Sequence, residues 1–284
     1  MFYPSLAAER SEPLGPFTES IARDGALAPG ATRLVVVSHG TGSMPLLHRG
    51  LAIHLAQHGF VVAAPEHPGD SRTDHRLAGT EANLRNRPRH LTAVIDWMFD
   101  EPFFRASLLP HAAAVVGHSL GGYTALAIAG GRPAAFPWEA DSGQSSPVDV
   151  TPDPRVRSLV LLAPAAAWFL ADGALERVSI PILMMTGEND DLEIAGHKTL
   201  PDGRVVFMPW GHSEIIKRGI SSRSLIDHRT IPNAGHYSFM TPYPAAMRTP
   251  AVPPSQDPVG FDRVGFYEQL CADVLSFLQK TLTA

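Results

Sequence analysis

Thiols are almost missing from this sequence of 284 residues, whose single cysteine is Cys271. One thiol excludes a disulfide framework, and a zinc site built on thiolates is not expected either. Lying in an apolar stretch, Cys271 reads as a small core hydrophobe. An excess of positive charge is also missing: 23 Lys and Arg face 28 Asp and Glu, a formal net charge of -5. A nucleic-acid surface, which needs a basic patch to neutralise phosphates, is therefore disfavoured. No run approaches the roughly 18 apolar residues needed to span a bilayer. The opening stretch MFYPSLAAERSEPLG carries no basic region followed by an apolar core, so it is not read as a signal peptide. A cytoplasmic, reduced setting is expected. Internal repeats are lacking too.

What is present is an ordinary globular composition, 44% hydrophobic and 18% charged, enough for a sizeable core. Short apolar runs alternate with helical patterns, the mark of βαβ units around a mostly parallel sheet flanked by helices. Unbroken hydrophobicity in those runs suits strands buried on both faces. Strands are expected at Arg33–Ser38, Phe60–Ala64, Ala112–Val116, Val156–Leu162, Pro181–Met185 and Ser224–Ile231. Helices are expected at Pro45–His58, where Leu47, Leu51 and Leu55 share a face, and at Arg89–Phe99, Tyr123–Ala129 and about Asp262–Leu282. Glu66–Pro88 is polar and reads as loop with at most a short helix. The stretch Leu192–Ser222 is expected to hold a helix, a short strand and another helix. Pro, Gly and Ser dominate from Gly130 to Pro154, and since the βα rhythm then resumes, residues 131–154 read as a small cap inserted into a single domain spanning 1–284.

The sharpest chemical signal is Gly117-His118-Ser119-Leu120-Gly121. A serine hydroxyl is a poor nucleophile unless it is held exposed beside a base, and a tight strand-to-helix turn does this when small residues flank it. Here a buried-strand pattern precedes the motif and a helical one follows. The N–H of Leu120, just after the nucleophile, would form half of an oxyanion hole. His39-Gly40-Thr41-Gly42, ending the first strand, offers the N–H of Thr41 as the other half.

A base and an acid must follow the serine in the order Ser, acid, His. That removes His118 and every earlier histidine, leaving His197, His212, His228 and His236. His236 follows the last expected strand in the small-residue turn Asn233-Ala234-Gly235, and is preferred; His212 is its rival. For the acid, which orients the imidazole and stabilises the imidazolium, the turn after PILMMTG presents Glu188, Asp190 and Asp191. Asp190 is preferred, with Asp191 behind it, while some of these carboxylates could merely cap a helix.

With these segments assembled, the chain resembles the α/β-hydrolase superfamily, and within it the bacterial dienelactone-hydrolase-like proteins related to platelet-activating-factor acetylhydrolase. The matching segments are Ser38–Gly42, Ala64–Asp70, Gly117–Leu126, Asn233–Phe239 and Gly260–Arg263. The resemblance implies an α/β-hydrolase fold and a hydrolase of carboxylic esters with small acyl groups, free of metal and cofactor. Serine at position 119 departs from the cysteine of true dienelactone hydrolases, so that substrate is not implied. The stretch Leu200–Ile220 is longer than the family pattern leads one to expect. A lactonase, amidase or acyltransferase would use the same triad, and a catalytically silent binding protein on the same fold is the reading from another class. The sequence does not fix the oligomeric state.

Overall fold

A computed structural model describes residues 1–30, 32–199 and 203–283, with Lys198 described by its backbone alone. Six parallel strands form the central sheet: β3 (Thr32–Ser38), β4 (Phe60–Ala63), β5 (Leu108–His118), β8 (Val156–Leu162), β9 (Ile182–Gly187) and β12 (Ile226–Ile231), in the order β12-β9-β8-β5-β3-β4. Around them lie the antiparallel hairpins β1 (Arg10–Leu14) with β2 (Phe17–Ile21), β6 (Ala134–Ala135) with β7 (Ser146–Pro147), and β10 (Gly196–Thr199) with β11 (Val205–Met208). The helices are α1 (Arg49–Gln57), α2 (Glu81–Asp100), α3 (Pro102–Arg105), α4 (Leu120–Ile128), α5 (His212–Gly219) and α6 (Arg263–Thr281).

The sheet separates two apolar layers because a strand turns successive side chains to opposite faces. Leu34 and Val36 of β3 pack with Leu84, Leu91 and Ile95 of α2 and Leu126 of α4. Val35 and Val37 of the same strand pack with Leu51 and Leu55 of α1 and Leu270, Val274 and Leu278 of α6. Cys271 is buried in this second layer, which pushes its thiol up to about 12. The expected central strands are all present, with bounds shifted by a few residues. Ser119 sits where β5 ends and α4 begins, near the middle of the sheet.

Two expectations need correction, and one stretch that drew none turns out to be structured. Glu66–Pro88 is not loop to its end, because α2 starts at Glu81 and carries Pro88 inside it. Thr80 caps the helix by accepting the Asn83 N–H at 3.2 Å. Proline lacks the N–H that would bond the carbonyl four residues earlier. That carbonyl, of Leu84, instead accepts the buried Tyr123 hydroxyl at 3.0 Å. Secondly, Leu192–Ser222 holds a β-hairpin and then one helix; residues 200–202 lie outside those described. Thirdly, residues 1–32 drew no expectation, yet β1 and β2 pair there, and Arg49 stacks over Phe17 while pairing with Glu19.

The 131–154 segment is an excursion between α4 and β8 tied down at several points. Arg132 N–H bonds Ala174 O at 2.8 Å, and Asp153 N–H bonds Ile128 O at 2.9 Å. Buried Glu139 accepts from the Phe136 N–H at 2.9 Å and the Trp168 indole N–H at 2.8 Å. The rings of Phe136 and Trp138 stack at 4.6 Å.

The Pro88–Tyr123 arrangement predicts a coupled pair. Tyr123→Phe strands the Leu84 carbonyl and should destabilise the protein by about 1–3 kcal/mol. In a Pro88→Ala background the restored N–H serves that carbonyl, so the same substitution should cost clearly less. Urea unfolding of the four proteins of the cycle measures this coupling; strictly additive losses would refute the assignment.

Candidate active site

Ser119 has φ 55° and ψ -121°, a conformation that residues with a Cβ avoid. It is held there by its own peptide groups. The Ser119 N–H bonds Leu162 O on the neighbouring strand at 3.1 Å, and its carbonyl accepts the N–H groups of Gly122 at 2.8 Å and Ala165 at 2.9 Å. The turn also demands close approach of backbone to backbone. A Cβ on Gly121 would run into the Ser38 carbonyl oxygen. Such strain, of order 1–3 kcal/mol, persists only where the surroundings over-determine it, and it lifts the hydroxyl clear of the sheet edge.

The imidazole of His236 meets that hydroxyl, with Nε2 3.0 Å from Ser119 Oγ. Its Nδ1 lies 2.8 Å from Asp190 Oδ2. A carboxylate can only accept, so the ring proton belongs on Nδ1 and the Nε2 lone pair faces the serine. Asp190 is buried, and its other oxygen accepts the Leu192 N–H at 2.9 Å. Asp191 is exposed beside it. His212 opens α5 and accepts the Ala166 N–H on Nδ1 at 3.1 Å, while His228 bonds Thr186 across β12 and β9 at 2.9 Å. The residue that reaches Ser119 is therefore His236, and the one that reaches His236 is Asp190.

The loops bearing Asp190 and His236 are stitched to each other. Glu188 accepts the Asn233 N–H at 2.9 Å, and Asn189 N–H bonds Ala234 O at 2.8 Å. Glu188, one of the three carboxylates of the Asp190 turn, thus holds the histidine loop. His118 was set aside as a base by chain order, and it does something else: its Nε2–H donates to the His236 carbonyl at 2.9 Å. Its neighbour position to Ser119 gave no hint of this, since the contact spans the sheet's C-terminal edge.

The two N–H groups expected to face an oxyanion belong to Leu120, the first residue of α4, and Thr41. The first N–H groups of a helix have no partner within it, and neither of these two is taken up by a protein acceptor among the described residues. Gly40 packs against Ser119 so closely that a Cβ there would stand 3.0 Å from Ser119 Cβ. The loop Gly40–Gly42 is held from behind by a buried polar cluster. Arg87 donates to the His39 carbonyl, to Asp70 at 2.8 Å and to Thr124 at 3.0 Å, while Asp70 accepts the Gly42 N–H at 2.9 Å. Sequence reasoning missed Arg87 because it lay in a stretch taken for loop.

Histidines crowd this region uncharged. Burial drives His39 down to about 3 and His48 to about 4, and pushes His67 and His118 well below the ordinary value. Each still makes sense as a neutral ring: His39 donates to Gly40 O at 2.8 Å and accepts the His67 N–H at 3.1 Å. His48 is the exception, with neither ring nitrogen partnered among the described residues. No group of three or more His, Cys, Asp or Glu side chains is arranged to hold a metal ion among the described residues, and no helix there is long and apolar enough to cross a membrane.

A nucleophile elbow at the C-terminal edge of a parallel sheet, with acid and base on later loops, defines the α/β-hydrolase class. The chain belongs to that family: the model of the α/β-hydrolase fold matches residues 33–178. It is similar to a platelet-activating factor acetylhydrolase of Cavia porcellus, 25% identical over a match that covers 33% of this chain and 30% of that protein. The match thus spans less than a third of that relative's length. Among solved structures it resembles a ferulic acid esterase from Streptomyces cinnamoneus, with a TM-score of 0.58 and 20% identity, covering 91% of this chain and 70% of that one.

The buried histidines predict how stability follows pH. Their folded pKa values lie below the unfolded value of 6.5. Below that pH the unfolded chain takes up protons that the folded one refuses. Their contribution is therefore fully present above about 6.5 and lost as pH falls toward about 4, each ring steepening the decline by up to about 1.4 kcal/mol per pH unit. Urea titrations between pH 7 and 4.5 should show this fall, and His48→Leu should flatten it by about one proton's worth. A wild-type stability that is level across the window would contradict the neutral-ring assignment.

Proposed function

We propose that this protein is a serine hydrolase that cleaves carboxylic esters with small acyl groups through Ser119, His236 and Asp190. The observation that carries the reading is the unbroken relay from Asp190 Oδ2 through the imidazole to Ser119 Oγ, at 2.8 and 3.0 Å. The names of the relatives, an acetylhydrolase and an esterase, support ester as the substrate class, and the acetylhydrolase supports a small acyl group.

In this mechanism His236 Nε2 takes the Ser119 proton as Oγ attacks the ester carbonyl. The carbonyl π electrons move onto oxygen, where the N–H groups of Thr41 and Leu120 receive the negative charge, each donor worth about 3 kcal/mol. Collapse expels the alcohol, which takes its proton from the imidazolium. Water, deprotonated by the same imidazole, then cleaves the acyl-enzyme and regenerates the serine. Asp190 fixes the Nδ1–H tautomer throughout and stays ionised. No metal or cofactor enters this scheme. Residues 131–154 act in it as a cap.

The test is hydrolysis of p-nitrophenyl esters from acetate to palmitate, with Ser119→Ala alongside. Acetate and butyrate should be the best substrates, and the mutation should lower kcat by about 10³-fold or more. A preference for long chains would overturn the small-acyl assignment, and full activity in Ser119→Ala would overturn the nucleophile. A folded wild type that cleaves lactones or amides but no ester would replace the substrate class.

A further inference from the structure

We propose that the buried Arg87–Asp70 pair is a positioning device that holds both halves of the oxyanion hole in register with Ser119. The inference rests on the reading of Ser119 as the acyl-accepting nucleophile.

Both side chains are completely buried, and a fully buried ion pair is a poor source of stability because desolvation offsets its Coulomb attraction. What distinguishes this pair is where its hydrogen bonds go. Asp70 Oδ1 accepts the Gly42 N–H at 2.9 Å, one residue past Thr41, and Arg87 Nη2 donates to the carbonyl of His39, two residues before it. The Thr41 peptide is thus gripped on both sides by one cation and one anion. Arg87 also reaches the other donor. Its Nε–H bonds Thr124 Oγ1 at 3.0 Å, and that hydroxyl donates to the Leu120 carbonyl at 3.0 Å. A single guanidinium therefore touches the β3 loop directly and the first turn of α4 through one hydroxyl.

The geometry needs arginine in particular. Nε, Nη1 and Nη2 each have an acceptor of their own, Thr124, Asp70 and His39, with Ser38 Oγ a fourth at 3.5 Å from Nη2, and this spread matches a guanidinium fork and not an ammonium. Asp70 Oδ2 takes the Nη1–H at 2.8 Å and also the Asn83 Nδ2–H at 2.8 Å, so the carboxylate is pinned before it meets the loop. Burial lowers Arg87 to about 10, and the neighbouring Asp70 opposes that fall, leaving the guanidinium charged at neutral pH. Both side chains are shut off from solvent. They act on the reaction only through where two backbone N–H groups point, and such donors stabilise charge that develops in the transition state and is absent from the ground state.

The experiment measures Asp70→Asn and Arg87→Lys on a short p-nitrophenyl ester, with active sites counted by the initial burst, and measures inhibition by a trifluoromethyl ketone. That inhibitor forms a hemiketal oxyanion on the serine. The expected result is a kcat per active site lower by about 10- to 100-fold, with KM within about twofold and inhibitor affinity weakened by the same factor as kcat/KM. A merely structural role would lower the number of active sites and leave kcat per site and inhibitor affinity unchanged, and that outcome overturns the proposal. So does a loss confined to KM. Should both variants fail to fold, Thr124→Val, which cuts the link to Leu120 without touching a charge, decides in the same way with a smaller loss. Ester hydrolysis that survives Ser119→Ala would instead sink the nucleophile reading, and is read independently of the clamp variants.

Discussion

The constraint on which this molecule turns is the backbone of Ser119, held at positive φ at the end of β5. A side chain in that conformation is costly, so everything adjacent is arranged to make any alternative costlier. The strand next door receives its N–H, and the first turn of α4 and the Ala163–Ala165 loop cap its carbonyl. Gly121 is required because the Ser38 carbonyl occupies the space a Cβ would take. The sheet order follows the same need: β5 runs between β3 and β8, which brings the loops after both neighbouring strands against the elbow. One contributes Thr41 and Gly40, and the other contributes the backbone that locks the serine.

How much of this could be read in the residues depends on how local the physics is. Parallel strands buried on both faces are apolar at most positions, so RLVVVS, FVVAA and VRSLVLL announced themselves. The elbow did too, since its glycines and serine are contiguous. Asp190 and His236 could be preferred from the residues because each follows an expected strand and chain order limits the choice. What escaped were features decided by tertiary partners. A proline inside α2 looks like a loop until Tyr123 is seen to serve the orphaned carbonyl. The first hairpin has a polar, half-exposed pattern, and its one buried aromatic, Phe17, gains its place from Leu47 and Met240 far along the chain.

The supporting polar residues were illegible for the same reason. Glu188, Asp70, Arg87 and His118 each act across large sequence separations, of 45, 28, 48 and 118 residues in the bonds that matter. No spacing rule links such partners. Composition hinted at them only as an unusual stock of histidines, 13 in all, of which the triad reading uses one. The structure accounts for several of the others as uncharged donors and acceptors threaded behind the elbow.

That choice of side chain has an electrostatic logic in the proposed mechanism. An imidazolium forms on His236 during attack, and any other cation at its side would raise the barrier. His118 lies with its ring 5.0 Å from that of His236, close enough for its own protonation to matter. Burial forbids it, and His236 itself opposes it further. A neutral His118 still has one N–H to give, and it gives this to the His236 carbonyl, fixing the backbone of the base while adding no charge. Arg87, a buried cation in the same region, is matched by Asp70 at 2.8 Å. The cluster behind the serine can therefore be dense in polar groups and still nearly neutral, and the imidazole keeps the Asp190 carboxylate on its other side at 2.8 Å.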